Sequence, residues 1–416
     1  MKFDKTYVVV LAILFIIISF FIVTSISKNP PITSTSKLEL NNYQIVLATS
    51  NLNTSYNITT SKIVILDDNL GTFTEFLINS SSFSHKGLVV DIDNDGSNEL
   101  IGIGGYKAIM KLYKIRESKI IDEKIIWNTT FQRIRDVEYG DVNGDGKPEL
   151  VAVTHKNGVV GVLSYLNSRW EINEINNSFE KKTFIHEIEI GDVDNDGENE
   201  FVTTPTSLNI PKTSNVSNRV NQPGKISVFN FLDNKFQETI IDSFTDSSVK
   251  EIVIGDLDND GKNELIASKR GIKVNETLVE NLKILMYNFD PTINKFIKKE
   301  IFSIDDFKSR GMAFSDVDGD GLNELVIGTE SKGVLILSEN FGEWKYEVID
   351  SSIKKVNSVY AFDFDGDMKD EIIAASNENS KVYMYKKDSD SWEKRMILEL
   401  PENTRIWAID VGLLDN

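Results

Sequence analysis

Six stretches of the 416-residue chain repeat one arrangement of oxygen-bearing side chains, Asp-x-Asp/Asn-x-Asp-x-x-x-Glu. They read DIDNDGSNE from Asp91, DVNGDGKPE from Asp141, DVDNDGENE from Asp192, DLDNDGKNE from Asp256, DVDGDGLNE from Asp316 and DFDGDMKDE from Asp363. Carboxylates or amides at positions 1, 3 and 5 of a nine-residue loop can wrap a hard cation, and calcium takes six to eight oxygens at about 2.3–2.6 Å. A main-chain carbonyl at position 7 and the Glu at position 9 complete such a shell, while glycine at position 6 permits the sharp turn. The candidate ligands follow loop by loop. In the first they are Asp91, Asp93, Asp95, Ser97 and Glu99; in the second, Asp141, Asn143, Asp145, Lys147 and Glu149. The third offers Asp192, Asp194, Asp196, Glu198 and Glu200, and the fourth Asp256, Asp258, Asp260, Lys262 and Glu264. The fifth offers Asp316, Asp318, Asp320, Leu322 and Glu324, and the sixth Asp363, Asp365, Asp367, Lys369 and Glu371.

The spacing shares the first half of an EF-hand loop, but that motif closes with Glu at position 12 between two helices. Here the Glu stands at position 9 and opens a strand-like run. A plain Asx-rich turn needs no metal, yet it gives no reason for Glu at position 9 six times over. Without metal each loop crowds three or four carboxylates together, which destabilises the fold. Five to six structural calcium ions are therefore expected. The loop at Asp363 is the weakest candidate, because Met368 stands where the others have glycine. Asp410 stands where the spacing would open a seventh loop, but Val411, Gly412 and Leu413 supply no ligand side chains.

The elements that must hold these loops repeat with them. The loop starts are 50, 51, 64, 60 and 47 residues apart. Each loop is preceded by an alternating or apolar run, such as IHEIEIG or KEIVIG, and followed by a β-type run such as ELIGIGG, ELVAVT or ELVIG. A third run follows (KISVFNF, LKILMYNF, GVLILSE, KVYMYKK), then a turn and an aromatic opening a fourth: Trp170, Phe236, Phe296, Trp344 or Trp392. Apolar residues at position 2 (Ile92, Val142, Val193, Leu257, Val317, Phe364) pack each loop onto the sheet beneath it. Four short antiparallel strands per period are the mark of a propeller blade. The ends complement each other. Tyr43 to Asn79 matches strands two to four, and ENTRIWAIDV near the C-terminus matches a first strand. Joined, they make a seventh blade, which leaves no open edge. The fold class expected is an all-β, seven-bladed propeller over 40–416, closed by N- and C-terminal strands.

Ahead of it, Tyr7 to Val23 is an uninterrupted apolar run flanked by Lys2 and Lys5. About 20 such residues span a bilayer, and the basic flank keeps the N-terminus inside. The exit, Thr24-Ser25-Ile26-Ser27, lacks a small-x-small cleavage site. Residues 1–6 thus read as a cytoplasmic stub, 7–27 as a retained transmembrane helix and 28–39 as a linker; cleavage would make the protein secreted instead. Seven Asn-x-Ser/Thr sequons, at Asn53, Asn57, Asn79, Asn128, Asn176, Asn215 and Asn275, fit an exported glycoprotein. The absence of cysteine excludes disulfides and zinc-thiolate sites. The net charge of −19 argues against nucleic acid as a partner.

The loops and their strand context resemble the FG-GAP/VCBS repeats of integrin-α-like propellers over about residues 40–416. The resemblance implies calcium between the first two strands of most blades, held by side chains at positions 1, 3, 5 and 9. The Phe-Gly and Gly-Ala-Pro elements that name the repeat are mostly missing, so the VCBS-like subset is the nearer match. The function expected is a calcium-binding cell-surface module that adheres to a protein or glycan partner, and not an enzyme. The alternatives are a carbohydrate-active enzyme of the polysaccharide-lyase kind or a structural envelope component. Only His85, His155 and His186 are present, the first and second in or near turns, and they form no recognisable catalytic set. Insertions at about Pro205–Gly224 and Arg270–Asn281 fall between strands two and three of adjacent blades, and so share the face opposite the acidic loops.

Overall fold

The runs that follow the acidic loops form the most deeply buried strands of the molecule. Glu99–Gly104, Glu149–Thr154, Glu324–Thr329 and Glu371–Ser376 are buried at every position. A strand with no polar face must be covered on both sides, here by the neighbouring sheets. The computed structural model describes residues 43–414 apart from 54–57, 67–72, 78–83, 105–107, 117–118, 129–132, 156–157, 177–183, 207–223, 246 and 390. The membrane helix expected over 7–27 and the linker over 28–39 lie outside the described residues. Among the described residues, no helix is long and apolar enough to cross a membrane.

Seven four-stranded antiparallel sheets make up the fold. Blade 1 runs from its inner strand Thr404–Gly412 through Gln44–Leu52 and Ile58–Leu66 to Phe73–Leu77, so both chain ends build it. Blades 2 to 7 begin with inner strands Ser84–Val90, Ile134–Gly140, Phe184–Gly191, Val249–Gly255, Ser309–Ser315 and Val356–Phe362, and each runs outward in chain order. The seven-bladed reading, closed by complementary ends, is borne out. The aromatics singled out from the sequence stand second in their outer strands, as Trp170 does in Arg169–Asn176.

Apolar side chains fill the spaces between blades. Ile101 and Met110 of blade 2 pack with Ile134, Leu150 and Ala152 of blade 3 in one cluster. Where inner strands converge, room is short. A methyl group at Gly140 would stand 2.7 Å from Ile190, one at Gly191 2.9 Å from Ile254, and one at Gly255 2.8 Å from Phe314. Real carbon contacts are not that close, so the glycine before the acidic loop admits a side chain of the next blade.

Every inner strand carries a register shift at the same level. It falls between Ser84 and Lys86, Ile134 and Asp136, Ile185 and Ile188, Val249 and Glu251, Ser309 and Gly311, and Val356 and Ser358. In blade 1 the shift brackets Trp407. A bulge takes a residue out of the strand register and re-aims its side chain. The bulged residues are Trp407, His85, Arg135, His186 with Glu187, Lys250, Arg310 and Asn357, one site per blade. His85 thus lies within an inner strand and is 3% exposed, not in a turn.

The insertion at Arg270–Asn281 forms a small hairpin, Ile272–Val274 with Thr277–Glu280, turning at Asn275 and Glu276. Most of the other insertion (207–223) and the sequons at Asn57, Asn79 and Asn215 lie outside the described residues.

Candidate metal centres

Each acidic loop joins the inner strand of its blade to the second, and one set of bonds shapes all six. The Asp at position 1 accepts from the backbone N–H of position 6 through Oδ2, at 2.7–3.0 Å. The position-5 carboxylate accepts from the N–H of position 7 at 2.9–3.0 Å, which fixes Ser97, Lys147, Glu198, Lys262, Leu322 and Lys369. The position-9 Glu reaches back to the N–H of position 2 at 2.9–3.3 Å. Position 6 has φ of +79° to +97° in the five glycine loops; Met368 takes φ +67° and keeps the same hydrogen bond. A left-handed non-glycine residue costs about 1 kcal/mol, so methionine strains the turn without unmaking it.

Carboxylates converge most fully in blade 5, where Asp256, Asp258, Asp260 and Glu264 place one oxygen each within 4.8 Å of the rest. Asp192, Asp194 and Glu200 do so in blade 4, and Asp316, Asp318 and Asp320 in blade 6. Oδ1 of Asp93, Asp194 and Asp258, all at position 3, is buried without any hydrogen-bond donor. Buried acceptors are seldom left orphaned, and a cation is the missing partner that fits an all-oxygen cradle. In blade 3, Asn143 replaces a carboxylate and donates to Glu149 Oε1 at 2.8 Å, so this loop offers less charge.

Blades 2 and 7 also bring three carboxylates together, Asp91, Asp93 and Glu99 in one and Asp363, Asp365 and Glu371 in the other, but a lysine enters each group. Lys114 Nζ lies 2.8 Å from Asp93, 3.2 Å from Asp95 and 3.1 Å from Glu99. Lys386 Nζ pairs with Asp365, and lies 2.9 Å from Asp367 and 3.1 Å from Glu371. Both lysines sit on the third strand, one residue beyond the partner of the residue that follows the loop Glu. By the same register the position holds Ser164, Asn230, Asn288 and Ser338 in blades 3 to 6. Ser164, Asn230 and Asn288 each donate to the loop Glu at 3.1 Å. A neutral donor there leaves the centre of the loop to a cation. An ammonium fills it.

Sequence reading also passed over position 8. Asn199, Asn263 and Asn323 donate through Nδ2 to the carbonyl of the first Asp in the preceding loop, at 2.9–3.0 Å. Asn98 does the same to Leu413 O at 2.8 Å, and Asp370 exchanges bonds with the backbone of Asp316. The loops are therefore latched side by side. The repeated Asn-Glu pair at the loop ends was the signal for it. Asp410 accepts from Val89 N at 2.7 Å, which ties blade 1 to blade 2.

Burial, reinforced by neighbouring carboxylates, pushes the loop Glu residues up: Glu149, Glu264 and Glu324 to about 7 and Glu200 to about 8. Each is no more than 8% exposed. A raised carboxyl holds its proton more tightly in the folded state, so its stabilising effect is complete below the unfolded pKa of about 4.3 and is lost as pH rises to 7–8. In chelator, the melting temperature is expected to fall by roughly 5 °C between pH 5 and 8. Differential scanning fluorimetry across that range tests this; a chelated protein whose stability rises over the interval overturns it.

A family model described as FG-GAP-like repeat matches residues 316–374, from the loop of blade 6 into the second strand of blade 7. Among solved structures the chain is similar to a protein from Lactobacillus plantarum, at 12% identity and TM-score 0.56, covering 89% of this chain and 99% of that one. It is also similar to a 6-phosphogluconolactonase candidate from Bacteroides uniformis, at 10% identity and TM-score 0.53, with the same coverage of each chain. At such identities the likeness extends to the fold alone. No curated protein matches the chain in sequence.

Proposed function

We propose that this seven-bladed propeller with its FG-GAP-like repeat is a calcium-stabilised binding module, held outside the cytoplasm by the apolar segment at Tyr7–Val23. The observation that carries the metal reading is the set of buried oxygens without a hydrogen-bond donor on Asp93, Asp194 and Asp258, each inside a converging carboxylate cradle. The ions belong foremost to blades 4, 5 and 6; blades 2 and 7 have converging cradles that each hold a lysine, and blade 3, with Asn143, is the weaker site. Calcium supplies positive charge and a rigid oxygen shell there; the chain's own Asp, Glu and position-8 Asn residues orient the shell and latch it to the next blade.

The adhesive role rests on the scaffold. A ring stiffened on one face can present the loops of the other, and binding residues concentrate on loops set in rigid frames. The partner class is an extracellular protein or glycan. A surface pull-down with the purified full chain in calcium is expected to retain one stoichiometric partner and to release it in chelator. Turnover of a polyuronide by the chain, with no partner retained, overturns the adhesive reading in favour of an enzyme.

A further inference from the structure

The ring of bulged residues carries three basic side chains and two histidines that burial holds neutral, in a protein whose net charge is −19. Arg135, Lys250 and Arg310 come from blades 3, 5 and 6, with His186 between the first two and His85 on the flank. The bulges lie at the start of the inner strands, at the end away from the acidic loops. Further cations gather at the same mouth. Arg133 stands just before the inner strand of blade 3, Lys308 just before that of blade 6, and Arg270 just after the second strand of blade 5.

Two of the ring cations lack the partner that burial ordinarily requires. Lys250 is 9% exposed and makes no hydrogen bond or ion pair among the described residues. Arg310 is likewise without one, and its Nε is buried with no acceptor, as is that of Arg270. The carboxylates nearby are otherwise engaged. Glu187 pairs with Arg135 at 3.2 Å and with His186, and Glu330 pairs with Lys308 at 3.1 Å. Glu251, next to Lys250, is pushed well up by burial and then by Glu187, so it supplies little negative charge. The cations also press on one another. Burial, then Arg270, Arg310 and Arg135, lowers the proton affinity of Lys250. A buried cation without a counterion is costly, and an arrangement that keeps several together makes sense if an anion arrives to join them.

We infer that this ring is a binding site for a small oxyanion, a carboxylate or phosphate group seated between Lys250 and Arg310. Arg310 and Arg135 line a cavity of about 320 Å³ together with Trp407. Lys250 adjoins this cavity without lining it; Glu187 and Glu251 share the wall next to the ring, and Glu138, Glu189 and Asp410 make the deeper wall acidic. The anionic group of the ligand therefore stops at the ring, and only neutral hydroxyl-bearing parts can reach further, as hydrogen-bond donors to those carboxylates. The site is on the opposite end of the channel from the acidic loops and does not depend on what fills them.

Isothermal titration of the full chain in calcium, at fixed ionic strength, tests this with three probes: glucuronate, glucose 1-phosphate and glucose. At least one charged sugar is expected to bind with Kd below about 1 mM while glucose gives no heat. Preference between the two charged probes tells carboxylate from phosphate. Lys250→Met and Arg310→Gln are each expected to weaken binding at least tenfold, and the exposed Lys299→Gln to leave it unchanged. Should one ring variant fail to fold, the other still decides, and loss of the wild-type heat in raised chloride reads the same ion pairing. Equal responses to all three sugars, or wild-type affinity in both ring variants, overturn the site. Repeating the titration in chelator separates it from the metal reading, since anion binding persists even if calcium has no effect on stability.

Discussion

Adding about 5 mM calcium to the chelated protein is expected to raise its melting temperature by about 10 °C. Mass action sets the size of the shift. A site with Kd of about 10⁻⁴ to 10⁻³ M, typical of extracellular modules, gains about 1–2 kcal/mol at that concentration. Three or four such loops contribute roughly 3–8 kcal/mol, and a chain of this size shifts by about 1–2 °C for each kcal/mol. The sign is set by Asp256, Asp258, Asp260 and Glu264, whose converging oxygens repel one another until a cation arrives. Magnesium, smaller and reluctant to shed its waters, is expected to give less than half the effect. Identical melting curves in calcium and chelator, read by fluorimetry or calorimetry, would sink the structural-metal reading outright.

The second large effect concerns the loops in which an ammonium stands at the centre. Lys386→Asn places in blade 7 the residue type that blade 5 carries at Asn288. Asp365, Asp367 and Glu371 then lose their internal cation and present the cradle seen in blade 5. In chelator the variant is expected to be less stable by about 1–3 kcal/mol, since three carboxylates are left facing each other with partial solvent screening. In calcium it is expected to recover most of that loss and to bind one ion more than wild type; Lys114→Asn is the matching change in blade 2. Calcium stoichiometry from equilibrium dialysis with elemental analysis decides the matter. An unchanged ion count in both variants shows that the lysines do not stand in for metal.

Much of this architecture is legible from the chain. The blade count follows from six loops and two incomplete ends, because strand number per period and edge closure are local counting problems. The loop ligands are equally plain, since they lie within nine residues. What escaped is what strand pairing brings in from outside. Lys114 is 21 residues from Asp93, and only the register that pairs Leu100 with Tyr113 carries it into the loop. The bulges escaped for a related reason. A period-two pattern has no mark for the single residue that breaks it, so His85 read as a turn residue and Lys250 as an ordinary member of KEIVIG. The latch at position 8 was visible as repetition, but its meaning depended on how near one loop lies to the next.

The pairing of Val46 with Asp410 sets a schedule on biogenesis. Partners that far apart in sequence cannot meet until almost the whole chain exists. At about 5–20 residues per second, the first strand waits some 20–70 s on the ribosome for the last. Meanwhile Gln44–Ser50, buried throughout in the finished ring, is an apolar strand with an open edge. A nascent chain of this kind needs a guardian for that interval. It also follows that a transcript ending a dozen codons early would yield a protein with six complete blades and no means of shutting the circle, marked for degradation by the edge it leaves exposed.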